Sequence, residues 1–250
     1  MLKFSKANAK TESLYNVADV APFLADGRKV YSCDLSSGHS CPGACDCLSK
    51  AVPRDDDPSR FTIKDGPKCR FRCFSASQEV QYPALRNLRR HNFDALRKMR
   101  GADQCFQLYR DSLPTDAGVV RLHVGGDFFK KSQLQGVIKL AIFRPDVLFY
   151  AYTKSLHLLD GIEFPANFRI TVSRGGKYDR LIPELGIREA VVVFSEAEAE
   201  SLGLEIDHDD SHAASLGGSF ALLVHGTQPK GSEASEALKT LKGKGSYGRK

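Results

Sequence analysis

The chain has 250 residues, of which 42% are apolar or aromatic and 26% are charged. This is the composition of a globular protein of one or two domains, and it excludes a disordered chain, a collagen or a coiled coil. The net charge of +6 is only a weak indication of an anionic partner. No apolar run reaches the roughly 18 residues of a membrane span, and no secretory signal follows Met1, so we expect a cytosolic protein without a membrane partner.

The first 80 residues are predicted to be a cysteine-rich lead-in with few periodic apolar positions. All seven cysteines of the chain lie within its first 105 residues, at Cys33, Cys41, Cys45, Cys47, Cys69, Cys73 and Cys105. An odd number of cysteines in a cytosolic chain argues against a disulfide framework. Their clustering favours a metal or metal–sulfur site in the loops of residues 31–80.

The spacing of the cysteines leaves three interpretations open. Five of them fall into two tight groups, Cys41, Cys45 and Cys47, then Cys69 and Cys73. An iron–sulfur cluster accepts cysteines from several loops. A structural zinc ion usually takes two Cys-x2-Cys pairs, which this sequence lacks. Reduced cysteines without a metal are common in protein cores, and Cys33 and Cys105 are expected to be of this kind.

Residues 83–100 are predicted to form an amphipathic helix. Pro83 suits a first helical turn, and apolar residues recur at helical spacing from Leu85 to Met99. Six basic residues against one acid, Asp94, make the rest of this helix basic. Such a face can bind nucleic acid, and an ordinary solvated face is the alternative. A second helix is expected over residues 102–112.

Five short apolar runs predict a parallel sheet. They are residues 119–124, 147–152, 168–172, 190–194 and 220–224. Helix-like segments at 132–143 and 196–202 separate several of them, as in βα units that cover both faces of a sheet. The predicted fold is α/β, a partial (β/α) barrel or open parallel sheet over residues 81–229, integrated in one domain with the N-terminal cysteine-rich metal-binding segment. Residues 230–250 are predicted to be a basic, flexible tail.

Polar or glycine-containing residues follow each predicted strand. Ligands of a parallel α/β sheet bind beyond the carboxyl ends of its strands, so these residues predict the rim of a small-molecule site. The candidate catalytic residues are His123, Asp127, Lys154, Glu196 and His225. The candidate cofactor-binding residues are Gly125, Gly126, Ser173 and Arg174. Within these sets, His123 or Asp127 is suited to proton transfer or cofactor contact.

Glycines and cations at the strand ends indicate what kind of ligand to expect. Gly125 and Gly126 would let a ligand approach the backbone closely. Lys154 and Arg174 could hold an anionic group such as a carboxylate or phosphate. The alternative is that single residues at these positions only cap helices. Residues suited to that role are Ser195, Asp127 and Thr153.

An acidic segment precedes the fifth predicted strand. Residues 207–212 read Asp-His-Asp-Asp-Ser-His, a composition found in metal sites. A solvated acidic loop is the simpler interpretation, and it is the one we expect.

Several uncommon strings occur in order over roughly residues 35–229. They are Cys41-Pro-Gly-Ala44, Asp46-Cys47-Leu-Ser49, Arg72-Cys73-Phe-Ser-Ala-Ser-Gln-Glu79, Arg121-Leu-His-Val-Gly-Gly-Asp-Phe-Phe129, Phe149-Tyr-Ala-Tyr-Thr-Lys-Ser155, Ile206-Asp-His-Asp-Asp210 and His225-Gly-Thr-Gln-Pro229. Together they resemble the gene product 88-like proteins of actinobacterial phages, whose members are mostly of unassigned function. The resemblance implies a phage protein in the cytoplasm of an infected host cell. The family pattern stresses Cys41, Cys47 and Cys73.

Three cysteine ligands imply a [4Fe–4S] cluster in which one iron lacks a cysteine. This arrangement is similar to radical S-adenosylmethionine enzymes, which combine a partial βα barrel with such a cluster and a glycine-rich strand exit that contacts the cofactor. Gly125, Gly126 and Asp127 would be that exit here. Those enzymes place their cysteines in one Cys-x3-Cys-x2-Cys loop, whereas this chain has Cys45 at the first offset and no cysteine at residue 48.

Two hypotheses from different classes follow. The first is an iron–sulfur protein in which Cys41, Cys47 and Cys73 hold a [4Fe–4S] cluster near the strand ends, with Cys45, another side chain or a small molecule as fourth ligand. S-adenosylmethionine is then a possible cofactor, and the protein is an enzyme of unknown reaction or a redox carrier. The second is a zinc-stapled protein without catalysis, in which four cysteines including Cys45 or Cys69 hold the ion. It binds nucleic acid, through the helix at 83–100, or a host protein.

Overall fold

A seven-stranded, mostly parallel sheet forms the centre of the protein. The computed structural model describes residues 1–6 and 9–241. Its strands are β1 (Ser5–Lys6), β2 (Lys29–Cys33), β3 (Ser49–Pro53), β4 (Phe61–Asp65), β5 (Ala117–Leu122), β6 (Leu148–Thr153), β7 (Phe168–Ser173), β8 (Glu189–Val193) and β9 (Phe220–Leu223). The sheet has the order β1-β2-β5-β6-β7-β8-β9, and only the pair of β1 and β2 is antiparallel. β3 and β4 form a separate antiparallel pair.

Helices connect the strands and flank the sheet. The α-helices of the described residues are α1 (Phe74–Gln81), α2 (Pro83–Lys98), α3 (Ala102–Ser112), α4 (Lys131–Phe143), α5 (Ile182–Leu185), α6 (Glu196–Ser201), α7 (Ser211–Ala214) and α8 (Glu233–Thr240). Shorter 3-10 helices span Ala9–Asn16, Ala21–Gly27, Leu156–Leu158 and Asp179–Leu181. Within the described residues, no helix combines the length and apolarity needed to cross a membrane.

The five predicted strands are confirmed as β5 to β9, and the predicted helices at 83–100, 102–112, 132–143 and 196–202 as α2, α3, α4 and α6. A further parallel strand, β2, lies beside β5 and was not among the five. The sheet does not close into a barrel, because β1 and β9 are its two edges. Residues 230–241 of the predicted tail include α8, whose cap Ser232 accepts a hydrogen bond from the backbone of Ser235 at 3.2 Å. The rest of that tail, residues 242–250, lies outside the described residues.

Alternating side chains of the strands build two hydrophobic layers. On one face, Val120 and Phe149 pack with the apolar sides of α3 and α4, including Leu134. On the other face, Val119 and Leu148 pack with the N-terminal 3-10 helices and with α7. The second layer covers only part of its face, because the carboxyl ends of the strands there carry polar side chains.

Candidate functional site

A cavity of about 510 Å³ lies between α1 and the carboxyl ends of β5 to β9. The strands contribute residues of the less covered face, such as Arg121, Tyr152 and Leu222, and α1 contributes Phe74 and Ser77. A largely apolar cavity of this size with a few polar groups is typical of small-molecule sites. This cavity lies at the strand ends, where the sequence predicted a small-molecule site.

The first cysteine segment, residues 41–47, is fixed to the end of β7 by hydrogen bonds of its backbone. Ala44 forms an antiparallel bridge with Gly176, and the N–H of Asp46 donates to the carbonyl of Gly175 at 3.0 Å. Gly43 is required for this approach, because a Cβ there would lie 2.2 Å from the carbonyl oxygen of Lys154. These contacts place Cys47 at the cavity wall.

The second cysteine segment, residues 69–73, is held against the first. The N–H groups of Arg70 and Phe71 both donate to the carbonyl of Asp46, at 2.7 and 3.1 Å. The segment leads into α1, for which Cys73 is the N-cap residue. Cys47 and Cys73, 26 positions apart in the sequence, therefore line the same cavity.

Cys73 lies close enough to both Cys41 and Cys47 to affect them electrostatically. Burial is the main reason why the pKa of Cys41 lies well above its ordinary value and why that of Cys47 rises to about 12. Negative charge on Cys73 raises both pKa values further, whereas Lys154 lowers the pKa of Cys47. The N–H of Gly38 donates to Cys41 Sγ at 3.3 Å. The three cysteines proposed from the sequence as cluster ligands thus lie in one neighbourhood.

A fourth thiol of this neighbourhood is Cys69, which the zinc hypothesis named, with Cys45, as an alternative ligand. After burial, the charge of Cys73 is among the causes that raise the pKa of Cys69, and Cys69 in turn raises that of Cys47. Cys45, one of the alternatives predicted for the fourth ligand, does not line the cavity. Among the described residues, no group of three or more His, Cys, Asp or Glu side chains is arranged to hold a metal ion as it stands.

Lys154 is buried beside the cysteine loop, and neutral oxygens hold its ammonium group. Nζ donates to the carbonyl oxygen of Ser173 at 3.0 Å, to its Oγ at 2.8 Å, and to the carbonyl oxygen of Arg174. The predicted partner in anion binding, Arg174, is exposed and forms an ion pair with Glu189 at 2.7 Å. Lys154 and Ser173 line the cavity, and the side chain of Arg174 does not.

Asp127 anchors the end of β5 to the end of β6. Its Oδ1 accepts from the Phe128 N–H and the Thr153 hydroxyl, both at 2.7 Å. Its Oδ2 accepts from the Lys154 N–H at 2.9 Å and the Ser155 hydroxyl at 3.2 Å. Burial raises its pKa to about 6, and the four donors oppose that rise. Through these four hydrogen bonds the carboxyl group of Asp127 holds the loops after β5 and β6 in place. It does not line the cavity.

The two glycines after β5 approach protein atoms rather than a ligand. A Cβ on Gly125 would lie 2.2 Å from Ser75 Oγ, and one on Gly126 would lie 2.5 Å from Ser40 Oγ. The expected room for a cofactor at these glycines is therefore filled by the chain itself. Gly126 also has a φ of +89°, which glycine adopts without strain.

His123 lies at the cavity wall as a neutral imidazole. Burial lowers its pKa to about 3. The Oε1 atom of Gln133 accepts from the Phe129 N–H at 3.1 Å, which directs the amide Nε2 group to His123 Nε2, 3.1 Å away. Because this amide donates to Nε2, the proton of the ring is on Nδ1. That nitrogen is buried and has no hydrogen-bond partner within the described residues.

The last two predicted catalytic residues have different positions. His225 lines the cavity, where its ring lies 4.6 Å from that of Phe74 between centroids. Glu196 is exposed in the first turn of α6 and does not reach the cavity. Ser195, before it, caps this helix by accepting from the N–H of Glu198 at 3.1 Å. The capping alternative is thus confirmed for Ser195.

Arg121 and Asp210 form a buried ion pair at the floor of the cavity that the sequence did not predict. Tyr150 also donates to Asp210 Oδ2, at 3.1 Å. The acidic segment at 207–212 is therefore not a solvated loop throughout, because Asp207 and Asp210 are 1% and 0% exposed. An arginine in the middle of an apolar strand was the signal that could have indicated this pair.

The basic helix α2 presents fewer free cations than its sequence suggests. Arg89 is buried between Asp34 and Glu79, at 3.6 and 3.5 Å. Arg86 stacks on the ring of Phe61 at 3.6 Å. Arg90 and Arg97 share one carboxylate, that of Asp94.

Comparison with known proteins gives a family for the chain. A family model described as Gene product 88 matches residues 2–242. Searches of curated proteins and of solved structures gave no match. Since this single model spans the sheet, both cysteine segments and the cavity, the chain belongs to the Gene product 88 family.

Proposed function

We propose that this protein is an iron–sulfur protein in which Cys41, Cys47 and Cys73 hold a [4Fe–4S] cluster at the edge of the cavity. The observation that supports the proposal is that Cys73, from the second cysteine segment, lies within electrostatic range of Cys41 and Cys47, from the first. Two of the three line a cavity large enough for a small molecule. A cluster with one iron free of cysteine would be accessible to such a molecule.

The donor set fits a cluster in its chemistry. Cys73 is close enough to Cys41 and Cys47 to raise their pKa values, yet no three such side chains in the described part of the chain are arranged around a single ion. A single zinc ion needs sulfurs about 3.8 Å apart, because four Zn–S bonds of about 2.3 Å point to the corners of a tetrahedron. A cubane cluster accommodates a wider set, since each thiolate binds a different iron. Backbone donation to sulfur, as from Gly38 to Cys41, is also common around clusters.

The cluster would give the fold a redox or radical function. The open sheet, whose strands follow in chain order, would take the place of a partial barrel, with the cluster and the ligand at the carboxyl ends of its strands. Cys45 is less well supported as the fourth ligand than Cys69, which interacts with both Cys47 and Cys73. S-adenosylmethionine stays a possible cofactor, although the space at Gly125 and Gly126 is filled. We expect the protein to act in the cytoplasm of an infected cell.

Anaerobic purification tests the proposal. The full chain should be brown, absorb near 400 nm and contain about four irons and four sulfides. The variants C41S, C47S and C73S should each lose most of the iron. C105S is the matched control, because Cys105 is buried in α3, remote from the cavity lining, and should retain it.

The second candidate is a zinc protein, and the presence of Cys69 among the neighbouring thiols favours it. It predicts colourless protein with about one zinc per chain, bound by Cys41, Cys47, Cys69 and Cys73. Here C69S would lose the metal as completely as C47S does. Binding of DNA or RNA that weakens with salt would then become the function to test.

A further inference from the structure

Arg72, at the cavity wall, is fixed by hydrogen bonds at both its backbone and its Nε atom. Its N–H donates to Gln228 Oε1 at 2.7 Å, and its carbonyl oxygen accepts from Gln228 Nε2 at 3.1 Å. Gln228 is only 9% exposed, so this anchor lies within the fold. Nε donates to the two carboxylate oxygens of Asp65, at 3.1 and 2.8 Å. These contacts hold the guanidinium group in one place beside the cavity.

The two terminal nitrogens of this guanidinium group, Nη1 and Nη2, have no acceptor among the described residues. A ligand can reach them, because Arg72 lines the cavity and 22% of its side chain is exposed. The paired N–H groups of a guanidinium match the two oxygens of a carboxylate or a phosphate. Since Arg72 is already held in place, little conformational freedom is lost when it binds. Arg72 thus suits the anion-binding role that the sequence suggested for Arg174.

The charges around the cavity also favour an anion. Arg121 is paired with Asp210, and Arg72 with Asp65. Lys154 contacts only neutral oxygens, so no carboxylate in the described part of the chain forms an ion pair with it. One positive charge is therefore left over. A single excess charge fits a monoanion such as a carboxylate better than a phosphate monoester, which carries almost two charges at neutral pH.

The rest of the wall is largely apolar. Val192 and Leu222 contribute half-buried aliphatic side chains from the sheet, and Phe71 and Phe74 contribute aromatic rings. An inorganic anion would leave these surfaces in water, whereas an apolar group would remove them from water. The cavity, at about 510 Å³, is also of the size that accommodates an organic molecule.

We propose that the cavity binds an organic carboxylate with an apolar body. The carboxylate accepts hydrogen bonds from Nη1 and Nη2 of Arg72, and the body lies against Phe74, Val192 and Leu222. This inference deepens the proposed function and rests on its assignment of the cavity as the ligand site. It needs no particular metal, because its contacts are made by Arg72 and the apolar wall.

Isothermal titration calorimetry of the purified full chain tests the ligand class. The probes are octanoate, 3-phenylpropionate and indole-3-acetate. Three comparison compounds each change one property: 3-phenylpropionamide lacks the charge, acetate lacks the apolar body, and phenyl phosphate replaces the carboxylate. We expect at least one of the three probes to bind once per chain. 3-Phenylpropionamide, acetate and phenyl phosphate should each bind about tenfold more weakly than that probe, or worse.

The variant R72K tests the guanidinium contact itself. Lysine keeps a positive charge beside Asp65 but lacks the paired donors, so R72K should weaken carboxylate binding about tenfold and leave the melting temperature nearly unchanged. R70K is the matched control from the same segment, because the Arg70 side chain is 61% exposed and does not line the cavity. It should bind as the wild type does.

A second variant tests the apolar side of the cavity. L222W fills the space beside the sheet and should abolish binding. L216W, at a residue that is 74% exposed, is its control and should bind normally.

Four results would overturn the inference. They are failure of all three carboxylates, equal binding of a probe and any of the comparison compounds, unchanged binding by R72K, and unchanged binding by L222W. Iron is measured on the same preparation, which separates this inference from the cluster. Carboxylate binding without iron would contradict the cluster alone, and iron without carboxylate binding would contradict only the ligand class.

Discussion

The ammonium group of Lys154 donates hydrogen bonds to both the carbonyl oxygen and the hydroxyl of Ser173, at 3.0 and 2.8 Å. These bonds tie the end of β6 to the end of β7 and fix a positive charge beside the cysteine loop. The charge lowers the pKa of Cys47, against the effect of burial. Lys154 therefore stabilises negative charge on the sulfurs, which the proposed cluster would carry.

Replacing Lys154 by methionine should make the cluster harder to reduce. Removing a positive charge disfavours the added electron by on the order of 2 kcal/mol, or about 100 mV, for charges about 7 Å apart at an effective dielectric constant of about 20. A spectroelectrochemical titration of K154M would measure the shift. The exposed Lys139, replaced in the same way, provides the control. An unchanged reduction potential in K154M would show that Lys154 does not act on the cluster.

Gly125 should tolerate no side chain. A methyl group there would lie 2.2 Å from Ser75 Oγ and 2.8 Å from Cζ of the buried Arg89. We expect G125A to lower the free energy of unfolding by about 2–4 kcal/mol, as overpacking of a core with charged groups does. In G217A the new methyl group meets nothing within 4 Å, so stability should stay the same or rise by about 0.5 kcal/mol. Chemical denaturation of both variants checks this, and equal stabilities would contradict it.

His123 should make the protein less stable at mildly acidic pH. Its folded-state pKa, lowered to about 3 by burial, lies below the unfolded value of about 6.5. Below pH 6.5 the unfolded chain therefore binds a proton that the native protein does not bind until about pH 3. The free energy of unfolding should fall by up to about 1.4 kcal/mol per pH unit over this window.

The variant H123N should remove this slope, and asparagine tolerates the φ of +62° at this position. H91Q, at an exposed histidine, serves as the control. Burial raises the pKa of Asp127 to about 6, so this residue changes the free energy of unfolding with pH in the opposite direction. Because Asp127 is present in both proteins, the difference between wild type and H123N isolates the contribution of His123. Identical pH profiles for H123N and wild type would show that the native imidazole titrates normally.

The sheet could be predicted because its strands carry their own signal. Runs such as 190–194 and 220–224 are apolar on both faces, as strands of a covered parallel sheet are. The strand Lys29–Cys33 lacked this signal, because its short stretch mixes apolar and polar residues. It becomes a strand through pairing with β5, a contact 88 residues away along the chain at Lys29 and Ala117.

The candidate site could be predicted only in part. Position after a strand correctly brought Lys154, His123 and His225 to one cavity. The same criterion also selected Glu196 and Arg174, which point into solvent, because strand exits alone do not determine the direction of a side chain. The partner of Arg121 is Asp210, 89 positions away along the chain. Asp210 itself has a left-handed backbone conformation in the loop before β9. The arginine in the apolar strand indicates that a buried partner exists, but no local pattern identifies a partner so far along the chain.

The iron content of the anaerobically purified protein tests the central claim most directly. We predict about four irons and four sulfides per chain, with iron lost in C41S, C47S and C73S and kept in C105S. Colourless wild-type protein with about one zinc, or a C47S variant that keeps all its iron, would contradict the account.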